Sequence, residues 1–287
     1  MSIHPQLDNV KAAITAGTTM LANSSDSPRL DAELLLGMAL AKQRAWLYAH
    51  PESPLTGKQT DVFYALINQR ATGRPMAHLT GVREFWSLEF AVDEHTLVPR
   101  PETELLVEQA LACLPAGQPL RVLDLGTGSG AIAVALATER PTINITATDR
   151  SGEALAMAKH NAAEHCPERI RFFEGCWFDA LPPATAPFDM IVTNPPYIGE
   201  AENTPTDKEL DFEPVTALYS GKDGLDAIRQ IIAATGPWLK PGGWLLLEHG
   251  CAQAAQVTGL LTAAGFESVD NRADLAGQPR VSFGQQS

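Results

Sequence analysis

Residues 121–130 read Arg-Val-Leu-Asp-Leu-Gly-Thr-Gly-Ser-Gly, and the apolar run Ala131–Glu139 follows directly. The segment Arg121–Leu125 is short and apolar enough for a buried strand, and 131–139 reads as a helix, so the glycines stand at a strand-to-helix turn. In that context a glycine loop is a ligand-binding device. Gly126 and Gly128 admit positive φ and close backbone approach, and Gly130 lets the helix start tightly. The spacing is G-x-G-x-G rather than the G-x-G-x-x-G of dinucleotide sites, which favours a nucleoside without a pyrophosphate. Asp149 closes the next strand, 23 positions after Gly126, where a carboxylate can accept hydrogen bonds from both hydroxyls of a ribose. Gly126, Thr127, Gly128, Ser129, Gly130 and Asp149 are therefore candidate cofactor-binding residues.

Outward from this loop the pattern repeats. Strands are expected at 143–149, 170–174, 188–193 and 244–248, with a final edge strand at 281–283; helices are expected at 152–165, 225–239 and 252–264. Such alternation predicts an α/β fold with a Rossmann-like, mostly parallel sheet and helices on both faces, binding its ligand at the C-terminal strand ends. Residues 104–287 are assigned to this domain. Residues 76–103 form a hairpin-like linker, because Phe85, Trp86, Leu88, Phe90 and Val92 approach strand alternation and Pro99 and Pro101 interrupt any regular element. Residues 1–75 read as a small helical domain for substrate recognition. Leu7, Val10, Ile14, Gly17 and Leu21 recur at helical spacing; Ser27 is a candidate N-cap ahead of Pro28; Leu30, Leu34 and Met38 form one helix face. Thr56 and Gln59 make a capping-box pattern before Val62, Phe63, Leu66 and Ile67.

At 287 residues the chain has room for one large or two smaller domains with a real core, and 45% hydrophobic content marks an ordinary globular protein. No run approaches the apolar length of a bilayer span. His4, Pro5, Gln6 and Asp8 do not resemble a signal peptide, so a cytoplasmic, membrane-free protein is expected. Cys113, Cys166, Cys176 and Cys251 contain no CxxC pair and read as free thiols, and no metal site is visible. Charge is uneven: residues 1–75 carry seven Lys/Arg against six Asp/Glu, and the remainder carries 14 against 28. An acidic C-terminal part argues against direct nucleic-acid binding, which needs clustered Lys/Arg, and suits a basic protein partner.

The second informative stretch is Asn194-Pro195-Pro196-Tyr197, at the C-terminal end of the apolar strand Phe188–Thr193. An amide or exocyclic amino nitrogen is a poor nucleophile because its lone pair is delocalised. Two acceptors aimed at its N–H groups, the Asn194 side-chain oxygen and the Pro195 carbonyl, would fix it in line with an electrophile and stabilise the developing positive charge. Pro195 and Pro196 stiffen the loop, and Tyr197 offers a ring on which a planar amide can stack. Asn194, Pro195 and Tyr197 are the candidate catalytic residues; with Pro196 they make the candidate substrate site. A plain proline-rich turn would not account for Asn and Tyr at these positions. Trp177, just after the third strand of the α/β domain and close to Asp179, admits two readings: stacking on an adenine or packing in the core.

These segments together resemble the HemK/PrmC family of protein-(glutamine-N5) methyltransferases. The resemblance spans essentially the whole chain. It rests on Ala77-His78-Leu79-Thr80-Gly81, Arg83-Glu84-Phe85-Trp86, Leu97-Val98-Pro99-Arg100-Pro101-Glu102-Thr103-Glu104, the glycine loop, the 194–197 motif and Leu246-Leu247-Glu248-His249-Gly250. It implies a class I S-adenosylmethionine-dependent methyltransferase domain behind a helical domain and a hairpin linker. It also implies that Gly126, Thr127, Gly128, Ser129, Gly130, Asp149, Trp177 and Asn194 contact S-adenosylmethionine. Asn194, Pro195, Pro196 and Tyr197 would hold the glutamine of the Gly-Gly-Gln loop in class I peptide chain release factors. The 194–197 motif is shared with DNA adenine methyltransferases, so glutamine methylation of a ribosomal protein, adenine-N6 methylation of nucleic acid and a catalytically silent adaptor stay as rivals. Charge disfavours the nucleic-acid substrate and the intact motif disfavours the adaptor. Phe85 and Trp86 either line the glutamine pocket or pack the linker, with packing favoured. The acids Glu200, Glu202, Asp207, Glu209, Asp211 and Glu213 either face a basic substrate protein or are simply solvated.

Overall fold

The computed structural model describes residues 6–200 and 208–287, which divide into two compact units, each with its own core. The helical unit contains α1 (Val10–Leu21), α2 (Pro28–Leu40), α3 (Arg44–Ala49), α4 (Gly57–Ala71) and α5 (Met76–Thr80). It runs to Gly81 rather than ending at residue 75, because Met76 and Leu79 of α5 pack on the helical core. It also takes in the short 3-10 turn Lys208–Phe212. Asn9 caps α1 by accepting the Ala12 N–H at 2.9 Å. The capping box ahead of α4 is formed, with Thr56 Oγ1 accepting from Gln59 N at 3.3 Å and Gln59 Oε1 from Thr56 N at 2.9 Å.

Helix α2 departs from its apolar spacing. Leu30 and Met38, expected on a buried face, are exposed, and the helix buries Ala32, Leu35 and Leu36 together with Asp31 and Glu33. Both buried acids are ion-paired. Asp31 meets Arg70 at 2.8 Å, and Glu33 accepts from Arg29 at 2.9 Å, Arg44 at 2.8 Å and the Tyr48 hydroxyl at 2.7 Å. Ser27 stands at the N-cap position without capping the backbone; its hydroxyl is spent on Asp31 at 3.3 Å.

The second unit opens with a hairpin of β1 (Val82–Phe85) and β2 (Leu88–Ala91), turned by Trp86 and Ser87 at φ 54° and 58°. After the 3-10 turn Pro101–Thr103 come α6 (Glu104–Cys113), β3 (Arg121–Leu125), α7 (Ala131–Glu139), β4 (Asn144–Asp149), α8 (Gly152–His165), β5 (Ile170–Glu174) and β6 (Phe188–Thr193). They are followed by α9 (Val215–Leu218), α10 (Asp226–Thr235), β7 (Leu239–Glu248), α11 (Ala254–Ala263), β8 (Glu267–Ala273) and β9 (Pro279–Gln285). The sheet order is β5-β4-β3-β6-β7-β9-β8, parallel except for β9, which runs antiparallel to both neighbours.

Residues 281–283, expected as an edge strand, therefore lie inside the sheet, and the edge is β8. Its sequence Glu-Ser-Val-Asp-Asn-Arg-Ala is too polar to announce a strand. The helix expected to reach residue 239 stops at Thr235, and a 3-10 turn over Gly236–Trp238 leads straight into β7. Pro237 cannot donate to a continuing helix. Alternate residues of the central strands feed opposite faces. Val122, Met190, Val192 and Leu246 pack with α7, while Leu123, Leu125, Ile191, Leu245 and Leu247 pack with α10 and α11. Strands β4 and β5 lie on one side of β3 and the rest on the other, so the chain reverses direction between β3 and β6 and leaves a crevice at their C-terminal ends. Among the described residues no helix is long and apolar enough to cross a membrane.

The helical unit provides a stability test. Arg70, 6% exposed, pairs with Asp31 and, at 2.8 Å, with Glu209. Arg70→Leu would strand the Asp31 carboxylate in the interior and should cost about 3 kcal/mol. Urea denaturation of the variant measures it; an unchanged midpoint would mean that Asp31 finds another partner.

Candidate active site

A cavity of about 590 Å³ opens at the crevice, walled by the glycine loop, Asp149, Trp177, Thr103, Asn194 and Pro196 among others. The loop is held by backbone hydrogen bonds. The N–H groups of Gly126 and Thr127 both donate to the Thr148 carbonyl, at 2.8 and 2.9 Å. Gly126 has φ 70°, and a Cβ there would lie 3.2 Å from the Trp177 ring, so the loop and the indole are already in contact. Trp177 packs partly against the core and also lines the cavity; the two roles read from its position are compatible. Asp179 is exposed and is not among the lining residues.

Asp149 is fixed from two sides: Oδ2 accepts from Gly128 N and Oδ1 from Ser151 N, both at 2.9 Å. Each oxygen keeps a further lone pair for a ligand. Beneath the loop, Asn161 of α8 is buried and donates to the Ser129 carbonyl at 2.9 Å and the Ala91 carbonyl at 3.0 Å, while its own oxygen accepts from Ala91 N at 2.8 Å. Asn161 thus ties the glycine loop to the β2 strand. Nothing in its helical surroundings singled it out.

The 194–197 motif leaves β6 at Asn194. Thr193 Oγ1 donates to the Leu125 carbonyl at 2.7 Å, which locks the end of β6 to the end of β3. Asn194 Nδ2 donates to Thr103 Oγ1 at 3.1 Å, so its Oδ1 remains as an acceptor. Asn194 and Pro196 line the cavity with the glycine loop, whereas Pro195 and Tyr197 are not among the lining residues. Tyr197 packs against the core beside β7, and its hydroxyl donates to Glu248 Oε1 at 3.2 Å. A buried phenol needs such a partner, and the ring follows the hydroxyl inward. Its carbonyl accepts from Gln253 Nε2 at 2.9 Å, and Gly224, at φ 75°, approaches that carbonyl too closely for any side chain. Ile198 then bridges to residues 218–220, donating to Leu218 O and accepting from Ser220 N, each at 2.9 Å. Beyond the bridge, exposed Val215 and Tyr219 line the cavity.

Other expectations resolve as follows. Phe85 is buried in the core, and Trp86 packs on it with Nε1 donating to Glu139 at 2.9 Å; neither lines the cavity. Of the acidic run, Glu209 pairs with Arg70, and buried Glu213 accepts from Arg100 at 2.6 Å. Glu200 and Asp211 are exposed, and Glu202 and Asp207 lie outside the described residues. Thr103 and Glu248 carried no signal of their own as site residues, although Glu248 shares with Asp149 the position of an acid ending an apolar strand.

Two site carboxylates are strongly perturbed. Asp124, fully buried under the loop, is pushed up to about 7 by desolvation and by the nearby Asp149 charge, against the Thr127 hydroxyl bond at 2.6 Å. Glu248 is likewise pushed up to about 7 by burial and by the Glu102 charge, opposed by the Tyr197 hydroxyl bond at 3.2 Å. Both folded-state values lie above the ordinary 3.8 and 4.5, so between about pH 5 and 7 the folded protein binds protons that the unfolded chain releases. Stability must then fall as pH rises through that window, by on the order of a few kcal/mol. Calorimetric melting should show a declining Tm from about pH 5 to 7 and a flatter decline for Asp124→Asn. A Tm that rises over this range would contradict the assignment.

Residues 12–81 match the PrmC N-terminal domain family, and residues 102–210 match the methyltransferase small domain family. The release factor glutamine methyltransferase of Xylella fastidiosa (strain Temecula1) is 49% identical over 257 residues, covering 90% of this chain and 93% of that protein. That of Escherichia coli K12 is 46% identical over 262 residues, covering 91% and 94% respectively. Among solved structures, a methyltransferase from Pyrococcus furiosus is 17% identical and superposes with a TM-score of 0.54 over 77% of this chain and 98% of that one, a likeness of fold alone. With nearly half of the residues shared along nine-tenths of both chains, this protein belongs to the release factor glutamine methyltransferase family.

Proposed function

We propose that this chain transfers a methyl group from S-adenosylmethionine to the side-chain amide nitrogen of the glutamine in the Gly-Gly-Gln loop of class I peptide chain release factors. The observation that carries the reading is Asn194: its amide nitrogen is engaged by Thr103, its oxygen is left as an acceptor, and it shares one cavity wall with the glycine loop and Asp149. The residues fit the cofactor. Asp149 is pinned with lone pairs free for ribose hydroxyls, Trp177 offers an indole beside Gly126, and 590 Å³ lies within the range of nucleoside-sized pockets. When bound, S-adenosylmethionine supplies an electrophilic methyl on a sulfonium.

The remaining work falls to the chain. Asn194 Oδ1 and the Pro195 carbonyl accept the two N–H bonds of the glutamine amide. They turn its lone pair toward the methyl and stabilise the positive charge that grows on nitrogen. The alkylated amide is acidic enough to lose its proton to water, so no strong base is required. Val215 and Tyr219 at the cavity offer apolar contact to the approaching loop. The helical unit adds binding area remote from the chemistry, which favours an intact factor over a short peptide. The acidic α/β unit suits a protein partner without direct nucleic-acid contact, and the substrate places the reaction in the cytoplasm.

Calorimetric titration of Asp149→Ala should show cofactor binding weakened by about 1.5–3 kcal/mol, the scale of hydrogen bonds to a charged acceptor. Unchanged affinity in a folded variant would remove Asp149 from the site. Asn194→Ala should keep most of its cofactor affinity while single-turnover transfer drops on the order of a hundredfold. The substrate is tested by offering labelled cofactor with a release factor, its Gln→Glu variant, a ribosomal protein and duplex DNA in parallel, followed by mass mapping of the site. Label confined to the parent factor's glutamine is expected; label on DNA, or equal label on the variant, would sink the assignment.

A further inference from the structure

Pro195 and Pro196 have no N–H to donate and their rings fix φ, so the course of residues 194–197 follows from how its two ends are pinned. The first end is held at β6: Thr193 Oγ1 donates to the Leu125 carbonyl at 2.7 Å, and Asn194 Nδ2 donates to Thr103 Oγ1 at 3.1 Å. The second end is held by Gln253, whose Nε2 donates to the Tyr197 carbonyl at 2.9 Å across 56 positions of sequence. The Tyr197 hydroxyl has its own partner in Glu248, but that bond sits at the tip of a rotatable side chain. The bond from Gln253 is made to the backbone itself.

Gln253 is 6% exposed and stands directly before α11, where its carbonyl accepts the Val257 N–H at 3.0 Å. Its side chain folds back over the turn that follows β7, and Oε1 accepts the Gly250 N–H at 2.9 Å. With the oxygen engaged there, the amide nitrogen directs its two protons at the carbonyls of Tyr197 and Asp223, the latter at 3.2 Å. The amide therefore has one orientation. A flip would set Nε2 against an N–H and Oε1 against two carbonyls, leaving buried polar groups unsatisfied. Gly224, at φ 75°, closes on the same place: a Cβ there would overlap the Tyr197 oxygen and lie 2.7 Å from Gln253 Nε2.

We propose, on the reading of 194–197 as the seat of the substrate amide, that Gln253 is a positioning residue that acts through the Tyr197 carbonyl to fix the backbone carrying the Asn194 and Pro195 acceptors. The two prolines transmit the constraint, because locked φ angles leave the segment few ways to relax between its ends. Loss of the Nε2 bond frees the Tyr197 end and lets the acceptors drift from the line of transfer. A misplacement of about 1 Å at a reacting group costs on the order of a hundredfold in rate. The glycine loop and Asp149 keep their own hydrogen bonds, so cofactor binding is spared. A mere prop for the turn after β7 would act differently, lowering the amount of folded protein and leaving the turnover of each folded site unchanged.

The test is steady-state methylation of an intact release factor by Gln253→Met and by Gly224→Ala. Cofactor binding is followed by calorimetry, whose stoichiometry counts the folded sites. Met keeps the length of the side chain and removes its donors; Gly224→Ala leaves Gln253 in place and pushes on the Tyr197 carbonyl. Both variants should lower kcat per binding site about tenfold or more, with KM for the factor within about threefold and cofactor affinity within about twofold. They reach one carbonyl by different routes, so either decides the matter if the other fails to fold. Turnover per site within about twofold of the parent, or a loss confined to KM or to cofactor affinity, would overturn the inference. A parent enzyme that labels no release factor would instead overturn the reading of 194–197 beneath it.

Discussion

The carbonyl oxygen of Thr148 accepts two backbone N–H groups, from Gly126 and Thr127, and the crevice edge of the α/β unit is built on that pairing. Strand β3 ends with donors that have no strand partner left, and the nearest free acceptor belongs to the neighbouring β4. Reaching it forces the chain sideways across the end of β4. That move carries Gly128 to the Asp149 carboxylate one residue further on, and Gly130 to the start of α7. Asn161 then closes the loop from below through Ser129. Loop, strand end and carboxylate form one hydrogen-bonded piece, the kind of arrangement that preorganises a site.

The same edge gathers carboxylates. Asp124 and Glu248 are both fully buried near strand ends, the first bonded by the Thr127 hydroxyl and the second by the Tyr197 hydroxyl, and both are pushed up to about 7. A core built for stability alone would place apolar residues there. Their presence marks an exchange in which folding free energy is given up to orient hydroxyls and amides at the crevice, and perturbed carboxylates cluster where chemistry is expected. Thr127 and Tyr197 play matched parts: each hydroxyl donates to one of the two buried acids.

What the sequence made legible follows from the range of the interactions. The strand-loop-helix around Gly126, the acid ending β4 and the asparagine ending β6 are local patterns, readable because periodicity and turn chemistry act over a few residues. Thr103, Asn161 and Glu248 meet their partners across 91, 70 and 51 positions, and no local spacing announces such a meeting. Strand β8 was hidden by its polar composition, and the buried face of α2 combines Leu35 and Leu36 with the ion-paired acids Asp31 and Glu33. Tyr197 was read as a stacking face, yet its hydroxyl bonds Glu248 and it is not among the lining residues, because satisfying a buried phenol outweighs presenting a ring to the cavity.

The acidic run after the acceptor motif illustrates why net charge is a poor guide to partners. Glu209 belongs to the helical unit and is neutralised by Arg70; Glu213 belongs to the α/β unit and is neutralised by Arg100. Neither charge is free to attract a basic protein, so the excess negative charge must act, if at all, through exposed acids such as Glu200 and Asp211. The pairs serve connectivity instead. The chain that leaves Asn194 contributes the turn Lys208–Phe212 to the helical unit before returning at Glu213 to build α9 beside the cavity. The helical unit is therefore joined by continuous backbone to the segments that carry Asn194 and Val215.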